Sequence, residues 1–365
     1  MNFILSTCGT SSFRNGATPD ELRLLNKYSN ASKAELIPID DRLMLEELAK
    51  RAGRNLLQSN CVYAALISAE LNAIAKYYDN NIQVRHKKDY HVLLCTDTWL
   101  GEQVAINIQE WMRTVGLTAE VKRQQDLQTA DLTAFQLALS GIAEWCEDTI
   151  PQYQSNNYRI IFNLTGGFKS VNGFLQALSM FYADEAIYVF ESEKELLRLP
   201  RLPVQITATE TIHKHLLAFR RLSCNLPVEH IADDIPETLL FKLEQQIALS
   251  PWGMLVWKRA KKEIYGEHLL SPPSQRISFT AEFEASVQGL TKERLRIVNE
   301  RLDDLAQFFE LGQSRNRLYF KKLKGNPRPP STHEIDAWAD HDTKRIFGHF
   351  EGDVFILNQL GKALH

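Results

Sequence analysis

Apolar residues recur along the chain first in one rhythm and then in another. Asn2 to Thr7 (NFILST) is a short apolar run that opens at once into a Gly/Ser/Thr loop. Residues 40–55 and 58–79 carry apolar positions at helical spacing. HVLLCT (91–96) reads as a buried strand ending at Asp97-Thr98. Residues 99–115 are amphipathic, LTAEV (117–121) is a short strand, and 131–148 is a further helix. YRIIFNLT (158–165) is the strongest buried-strand pattern, broken by Gly166-Gly167. A helix over 168–182 and a strand AIYVF (186–190) follow. Apolar strands alternating with helices predict a parallel sheet covered on both faces, a Rossmann-like α/β domain over residues 1–205. Pro200 and Pro203 punctuate its end.

The rhythm then changes. Residues 208–222 look helical, and LLFKLEQQIAL and PWGMLVWKRAKKEIYG predict further helices. Together they make a helical or winged-helix connector over 206–274, closed by the linker Ser271-Pro272-Pro273-Ser274. In 275–365, ISFT (277–280) is a strand and 281–289 and 291–310 are helices. The second helix has one apolar face made by Leu295, Val298, Leu302, Leu305 and Phe309. RLYFKKL (317–323), HEIDAW (333–338), KRIFGHF (344–350) and DVFILNQL (353–360) alternate as antiparallel strands, with Glu351-Gly352 at a tight hairpin. The predicted order is β-α-α-β-β-β-β, a C-terminal α+β domain.

Composition narrows the classes. With 365 residues, 44% hydrophobic and 24% charged, the chain has the balance of two or three folded domains and not of a disordered or fibrous protein. The net charge of −3 argues against a uniformly basic nucleic-acid coat, so any basic site is local. No apolar run is long enough for a membrane span, and MNFILSTCGTSS lacks the basic start of a signal peptide. The five cysteines form no C-x-x-C pair and read as reduced core thiols of a cytoplasmic protein. His213 and His215 lack accompanying ligands, so no metal and no cofactor is expected.

Ligands of open parallel sheets bind beyond the carboxyl ends of the strands, where strand order switches. Three strands end in suitable loops: Thr7-Cys8-Gly9-Thr10-Ser11-Ser12, Thr96-Asp97-Thr98, and Asn163 to Ser170 (NLTGGFKS). Glycines let backbone N–H groups approach a phosphate, and a helix N-terminus adds donors. Gly9, Thr10, Ser11, Thr96, Asp97, Thr165, Gly166, Gly167, Phe168 and Lys169 are the expected ligand residues. Neither common nucleotide fingerprint is present, and any one Gly-Gly is also an ordinary tight turn.

STCGTS after the first strand and NLTGGFKS after a late one resemble the CARF domain of CRISPR-associated proteins. The resemblance implies a two-fold homodimer that binds cyclic oligoadenylate, such as cyclic tetra-adenylate, across its interface. It places Gly9, Thr10, Ser11, Thr165, Gly166, Gly167 and Lys169 on that site. Some CARF domains also cleave their ligand without metal, through attack by an adenosine 2′-OH. Ser11 would then position the ring and Lys169 would stabilise the developing charge.

A second charged stretch lies near the end. Arg315, Arg317, Lys321, Lys322, Lys324 and Arg328 follow one another without an acidic residue, with Tyr319 and Phe320 interleaved. Strand alternation puts Arg317, Tyr319 and Lys321 on one face and Leu318, Phe320 and Lys322 on the other. A solvated edge strand and an RNA-phosphate contact both fit. The order of ISFTAEFEASVQGL, YFKKLKG, HEIDAW, KRIFGHFEGDVFIL and LGKAL resembles the RelE/HigB family of small ribonucleases. That resemblance implies cleavage of mRNA, typically on the ribosome, with the RNA 2′-OH as nucleophile. Lys321, Lys322 and Lys324 match its Lys-rich strand, Arg345 a later arginine, and Lys362 the basic tail. Arg345, Lys321 and Lys324 would stabilise the phosphorane. Arg315, Arg317, Arg328 and Lys362 would contact RNA. Asp336 stands where many relatives have arginine, and Leu364-His365 takes the place of their final tyrosine. His333, His341 and His349 are therefore considered for proton transfer.

Other readings compete. A HEPN ribonuclease needs an Arg…His pair on a helix, and the spacer between Arg328 and His333 contains Pro329-Pro330. A non-enzymatic regulator would use Lys258, Arg259, Lys261 and Lys262 of the connector on DNA. Trp252, Met254, Leu255 and Trp257 read as core more readily than as a docking surface. In the joint reading, cyclic oligoadenylate bound at residues 1–205 switches on mRNA cleavage by residues 275–365.

Overall fold

Strand β1 (Asn2–Thr7) is buried from Phe3 onward, as a central strand with covered faces must be. In the computed structural model it heads a first unit, Met1–Ile206; Thr207–His365 form a second. The structure describes residues 1–128, 131–189, 195–203, 209–243, 246–312, 318–325 and 327–363. After β1 come α1 (Ser11–Arg14), α2 (Pro19–Lys27), α3 (Ile39–Leu57), α4 (Cys61–Ile67), α5 (Ala69–Tyr77) and β2 (Tyr90–Cys95). Then follow α6 (Trp99–Thr114), β3 (Thr118–Arg123), α7 (Leu132–Ser155), β4 (Arg159–Asn163), α8 (Lys169–Tyr182), β5 (Glu185–Val189) and β6 (Leu196–Pro200). The 58–79 stretch, with its apolar positions at helical spacing, folds as two helices because Ser68 caps α5 anew, its Oγ accepting Leu71 N–H.

The sheet order is β3-β2-β1-β4-β5-β6. Strands β1 to β5 are parallel, and β6, which the sequence pattern did not indicate, is antiparallel to β5. Helices cover both faces. Phe3 packs on Tyr153 of α7 with the rings tilted and 4.4 Å apart, while Ile4 packs with Leu45, Leu71 and Val104 of α3, α5 and α6. This is a mixed α/β unit with a Rossmann-like, mainly parallel sheet. The chain leaves β1 toward β2 and β3 on one side and returns to β4 on the other. The winding therefore switches between β1 and β4, and their carboxyl ends meet there.

At the opposite end of the sheet, Tyr78 Oη donates to Asp89 (3.0 Å) and lies 3.1 Å from His91 Nε2. His91 is wholly buried and its Nδ1 has no hydrogen-bond partner, so burial pushes the imidazole from 6.5 down to about 4. The unfolded chain then binds the extra proton. Stability from this group is complete above pH 6.5 and is lost as pH falls toward 4. The expected loss is on the order of 3 kcal/mol. Urea unfolding at pH 7 and pH 4.5 measures it, and His91→Gln should flatten the slope; equal slopes in both proteins would contradict the assignment.

The second unit begins with α9 (Thr209–Lys214), α10 (Leu216–Ser223), β7 (Leu240–Leu243), β8 (Gln246–Leu249) and α11 (Pro251–Ile264). LLFKLEQQIAL is thus not helical: β7 and β8 pair antiparallel, Leu240 opposite Leu249. Ser250-Pro251 starts α11 afresh, with Ser250 Oγ accepting Gly253 N–H, so the apolar run before it closes on itself as a hairpin. Next come β9 (Ile277–Phe279), α12 (Ala281–Val287), α13 (Lys292–Leu311), β10 (Lys321–Lys322), β11 (His333–Trp338), β12 (Lys344–Glu351) and β13 (Val354–Lys362). The sheet order is β10-β11-β12-β13-β9, antiparallel except for β9 beside β13. RLYFKKL shrinks to a two-residue strand. Tyr319 has φ of +44°, and the buried Leu318 gives its carbonyl to Asp336 N–H, which ends the expected alternation. The segment 206–274 is joined to α13: Arg220 and Asp303, both buried, meet at 2.7 Å. Among the described residues no helix is long and apolar enough to cross a membrane.

Candidate functional site

In the first unit, the loops after β1 and β4 lean on each other at the switch point. Thr7 Oγ1 donates to the Gly166 carbonyl (2.7 Å), as does Asn172 Nδ2 from the first turn of α8 (2.8 Å). A Cβ at Gly166 would overlap Glu70 Oε1, and Gly167 has φ of +83°, so both positions require glycine. Thr165 is held by the end of the neighbouring strand β5, its Oγ1 accepting Val189 N–H at 3.2 Å. Phe168 is the N-cap position of α8. Lys169 is the first residue of that helix and is exposed. Thr10 is the N-cap position of α1, and its Oγ1 accepts from Arg14 Nε at 3.2 Å.

The floor of this cluster is a residue the sequence did not single out. Glu70, in the first turn of α5, is wholly buried. Gly9 N–H donates to its Oε1 at 2.7 Å; Ser11 Oγ and Ser68 Oγ donate to its Oε2 at 3.1 and 2.6 Å. Gly9 and Ser11 therefore turn toward an internal carboxylate. Ser11 Oγ also accepts Ala69 N–H, so the hydroxyl is engaged on both sides within the loop. Burial and the Glu70 charge raise the Cys8 thiol well above its ordinary range, so Cys8 is no nucleophile. The run Ser68-Ala-Glu marks a helix start, but Glu70 lies too far along the chain from Gly9 for any local motif to link them.

Thr96 and Asp97 follow the carboxyl end of β2 and close on protein partners. Thr96 Oγ1 lies 2.8 Å from Thr98 Oγ1, and the Asp97 carboxylate accepts from Arg123 Nε (2.8 Å) and Asp126 N–H (3.0 Å). Arg123 ends β3, directly beside Cys95 in the register, so its guanidinium reaches Asp97 first.

In the second unit the sheet divides the expected catalytic residues between its two faces. On the face turned from the core, Lys321 Nζ stands 3.1 Å from Glu334 Oε1, and Arg345 Nε 3.0 Å from Asp336 Oδ1. Phe347 is wholly buried on this face beneath the Arg328 guanidinium, 4.4 Å from its ring. Arg328 also donates to Gln359 and to the Lys362 carbonyl. Glu334 Oε2 is buried without a hydrogen-bond partner. Lys322 and His333 belong to the other face. His333 stacks on Phe320 at 5.1 Å and meets Phe350 edge-on. Partial burial and the nearby Lys322 hold its pKa below the usual histidine value. Lys324 and Lys362 are exposed. His349 Nδ1 faces Asn358 Oδ1 at 2.9 Å and its Nε2 faces Glu351 at 3.2 Å, while His341 is exposed. Arg315, Arg317, Leu364 and His365 lie outside the described residues.

Sequence reasoning placed the cations but missed their carboxylate neighbours. HEIDAW alternates Glu334 and Asp336 onto one face, a period-2 signal that was readable. Lys261, a cation of the alternative DNA-binding helix, sits over the Tyr265 ring at 4.7 Å and 3.8 Å from Asp303.

Residues 65–202 match a family model described as "CRISPR-associated protein (Cas_APE2256)". No curated protein matches. A solved structure of Enterococcus italicus Csm6, bound to cyclic hexa-2′-fluoro-hexa-dAMP, aligns with 62% of this chain at 13% identity and a TM-score of 0.29. The alignment spans 46% of that longer protein.

Proposed function

We propose that the first unit senses cyclic oligoadenylate in a CRISPR defence setting, as a CARF domain, and that the second is a RelE-like ribonuclease it controls. One observation carries the reading. Two glycine loops meet at the winding switch point of a parallel sheet, where such folds bind ligands, with Lys169 exposed at the helix start beside them. The family match over 65–202 supports it, because it spans the second of these loops. Next to the β1 loop, Asn15 Nδ2 donates to the Ile67 carbonyl at 2.7 Å, and α4 there exposes Val62, Tyr63 and Leu66. A second copy covering these apolar residues would form the homodimer and set two loop clusters around one two-fold ring.

In the second unit, Arg345, Lys321 and Arg328 converge on one sheet face. Their charges suit a phosphodiester whose scissile phosphorus gains negative charge. Lys324, Lys362, Arg315 and Arg317 would bind flanking phosphates, and the ribosome would present the mRNA.

The coupled reading is tested in a translation extract with a defined mRNA. Added cyclic tetra-adenylate should raise cleavage at least tenfold over the same extract without it, as expected when a ligand shifts a two-state equilibrium by roughly that factor. No ligand-dependent cleavage would favour the non-enzymatic regulator instead.

A further inference from the structure

Glu70 is more than a brace. Ser11 Oγ and Ser68 Oγ already accept backbone N–H groups from Ala69 and Leu71, so their hydrogens are free to point at Glu70. With Gly9 N–H they bring three donors onto two carboxylate oxygens, the inventory that an acceptor-only carboxylate satisfies. All of these partners are neutral, and Glu70 is shut off from solvent. Screening by water is therefore weak at this point. A negative group thus stands directly beneath Gly9 and Gly166, in the loops that would receive phosphate. One charge per phosphate is balanced by Lys169 and the α8 N-terminus. A second charge on the same phosphate meets Glu70 without a further cation.

We propose that Glu70 makes the β1/β4 loop site selective for phosphodiesters and discriminates against ligands that end in a phosphomonoester. The inference rests on the reading that these loops bind an oligoadenylate. It names a feature that separates a ring, which has no end, from its linear counterparts.

Three probes test it on the full chain at one salt concentration and pH 7.5: cyclic tetra-adenylate, linear tetra-adenylate with a 5′-hydroxyl, and the same linear form with a 5′-phosphate. The two linear probes differ only in the monoester. The 5′-phosphate form should bind roughly tenfold more weakly, the order expected for one extra like charge nearby in a partly screened medium. In Glu70→Gln, which keeps the shape and an acceptor for Gly9 N–H, the gap should close to within about twofold on the same reasoning. Equal affinities of the two linear forms in the wild type would overturn the proposal without recourse to any variant. An unchanged gap in folded Glu70→Gln would remove Glu70 as its cause. If the ring binds and neither linear form competes, selection lies in ring shape and the proposal also falls. Failure of all three probes to bind the wild type is a different result, and it refutes the oligoadenylate reading itself.

Discussion

Arg345→Ala is expected to lower RNA cleavage by the second unit at least about a hundredfold, the usual loss when one preorganised stabiliser of a developing oxyanion is removed. Arg345 is held by Asp336 across the β11–β12 pair, largely buried and fixed in direction. A cation fixed in place stabilises a phosphorane better than a mobile surface lysine, because little reorganisation is needed as charge develops. The substitution also leaves the Asp336 carboxylate without its cation, so some stability is lost as well. Arg345→Lys separates the two effects: it keeps a charge near Asp336 but loses the planar guanidinium. Cleavage rates under ligand saturation, read beside a thermal melt, decide the matter. A folded Arg345→Ala that cleaves at the wild-type rate would show that the Asp336–Arg345 pair is only a cross-strand ion pair.

Asp303→Ala should cost the second unit about 3–5 kcal/mol, the range for removing one partner of a buried ion pair. Asp303 accepts from Arg220 Nε and Nη2 at 2.9 and 2.7 Å, and Tyr265 Oη donates to its other oxygen. Without it, a buried guanidinium and a buried phenol lose their acceptor together. Both are set by this neighbourhood: the Asp303 charge helps hold Arg220 protonated, and burial with Asp303 raises Tyr265 well above its ordinary range. Hydrogen exchange on α10 and α13 peptides measures the effect, with peptides from residues 1–206 as internal reference. Protection of α13 should fall sharply; unchanged protection would mean that α10 and α13 are joined by apolar packing alone.

Much of this architecture was legible in the chain, and the exceptions have physical causes. Apolar runs marked β1, β2 and β4, since a strand buried on both faces has no polar alternation to obscure it. LLFKLEQQIAL misled because Leu, Glu, Gln and Lys favour helix locally, while Ser250-Pro251 restarts the helix and leaves that run to pair as a hairpin. RLYFKKL misled because alternation was read through Tyr319, whose left-handed backbone breaks it. The loops with Gly9, Gly166 and Lys169 were visible as glycine-rich strand ends. Their meeting was not, because strand order is a tertiary property that no local pattern encodes. Glu70 was invisible for the same reason: only the fold brings α5 under the β1 loop. The Asp97–Arg123 pair was invisible too, because Arg123 comes from a neighbouring strand.

The most direct test of the central claim is a calorimetric titration of cyclic tetra-adenylate into the full chain and into Lys169→Ala, near physiological salt. Saturable binding is expected, with one ring shared by a pair of chains. Loss of the Lys169 charge should weaken it roughly tenfold to a hundredfold, the worth of a hydrogen bond to a charged group. No saturable binding to the wild type, or equal binding by Lys169→Ala, would contradict that claim.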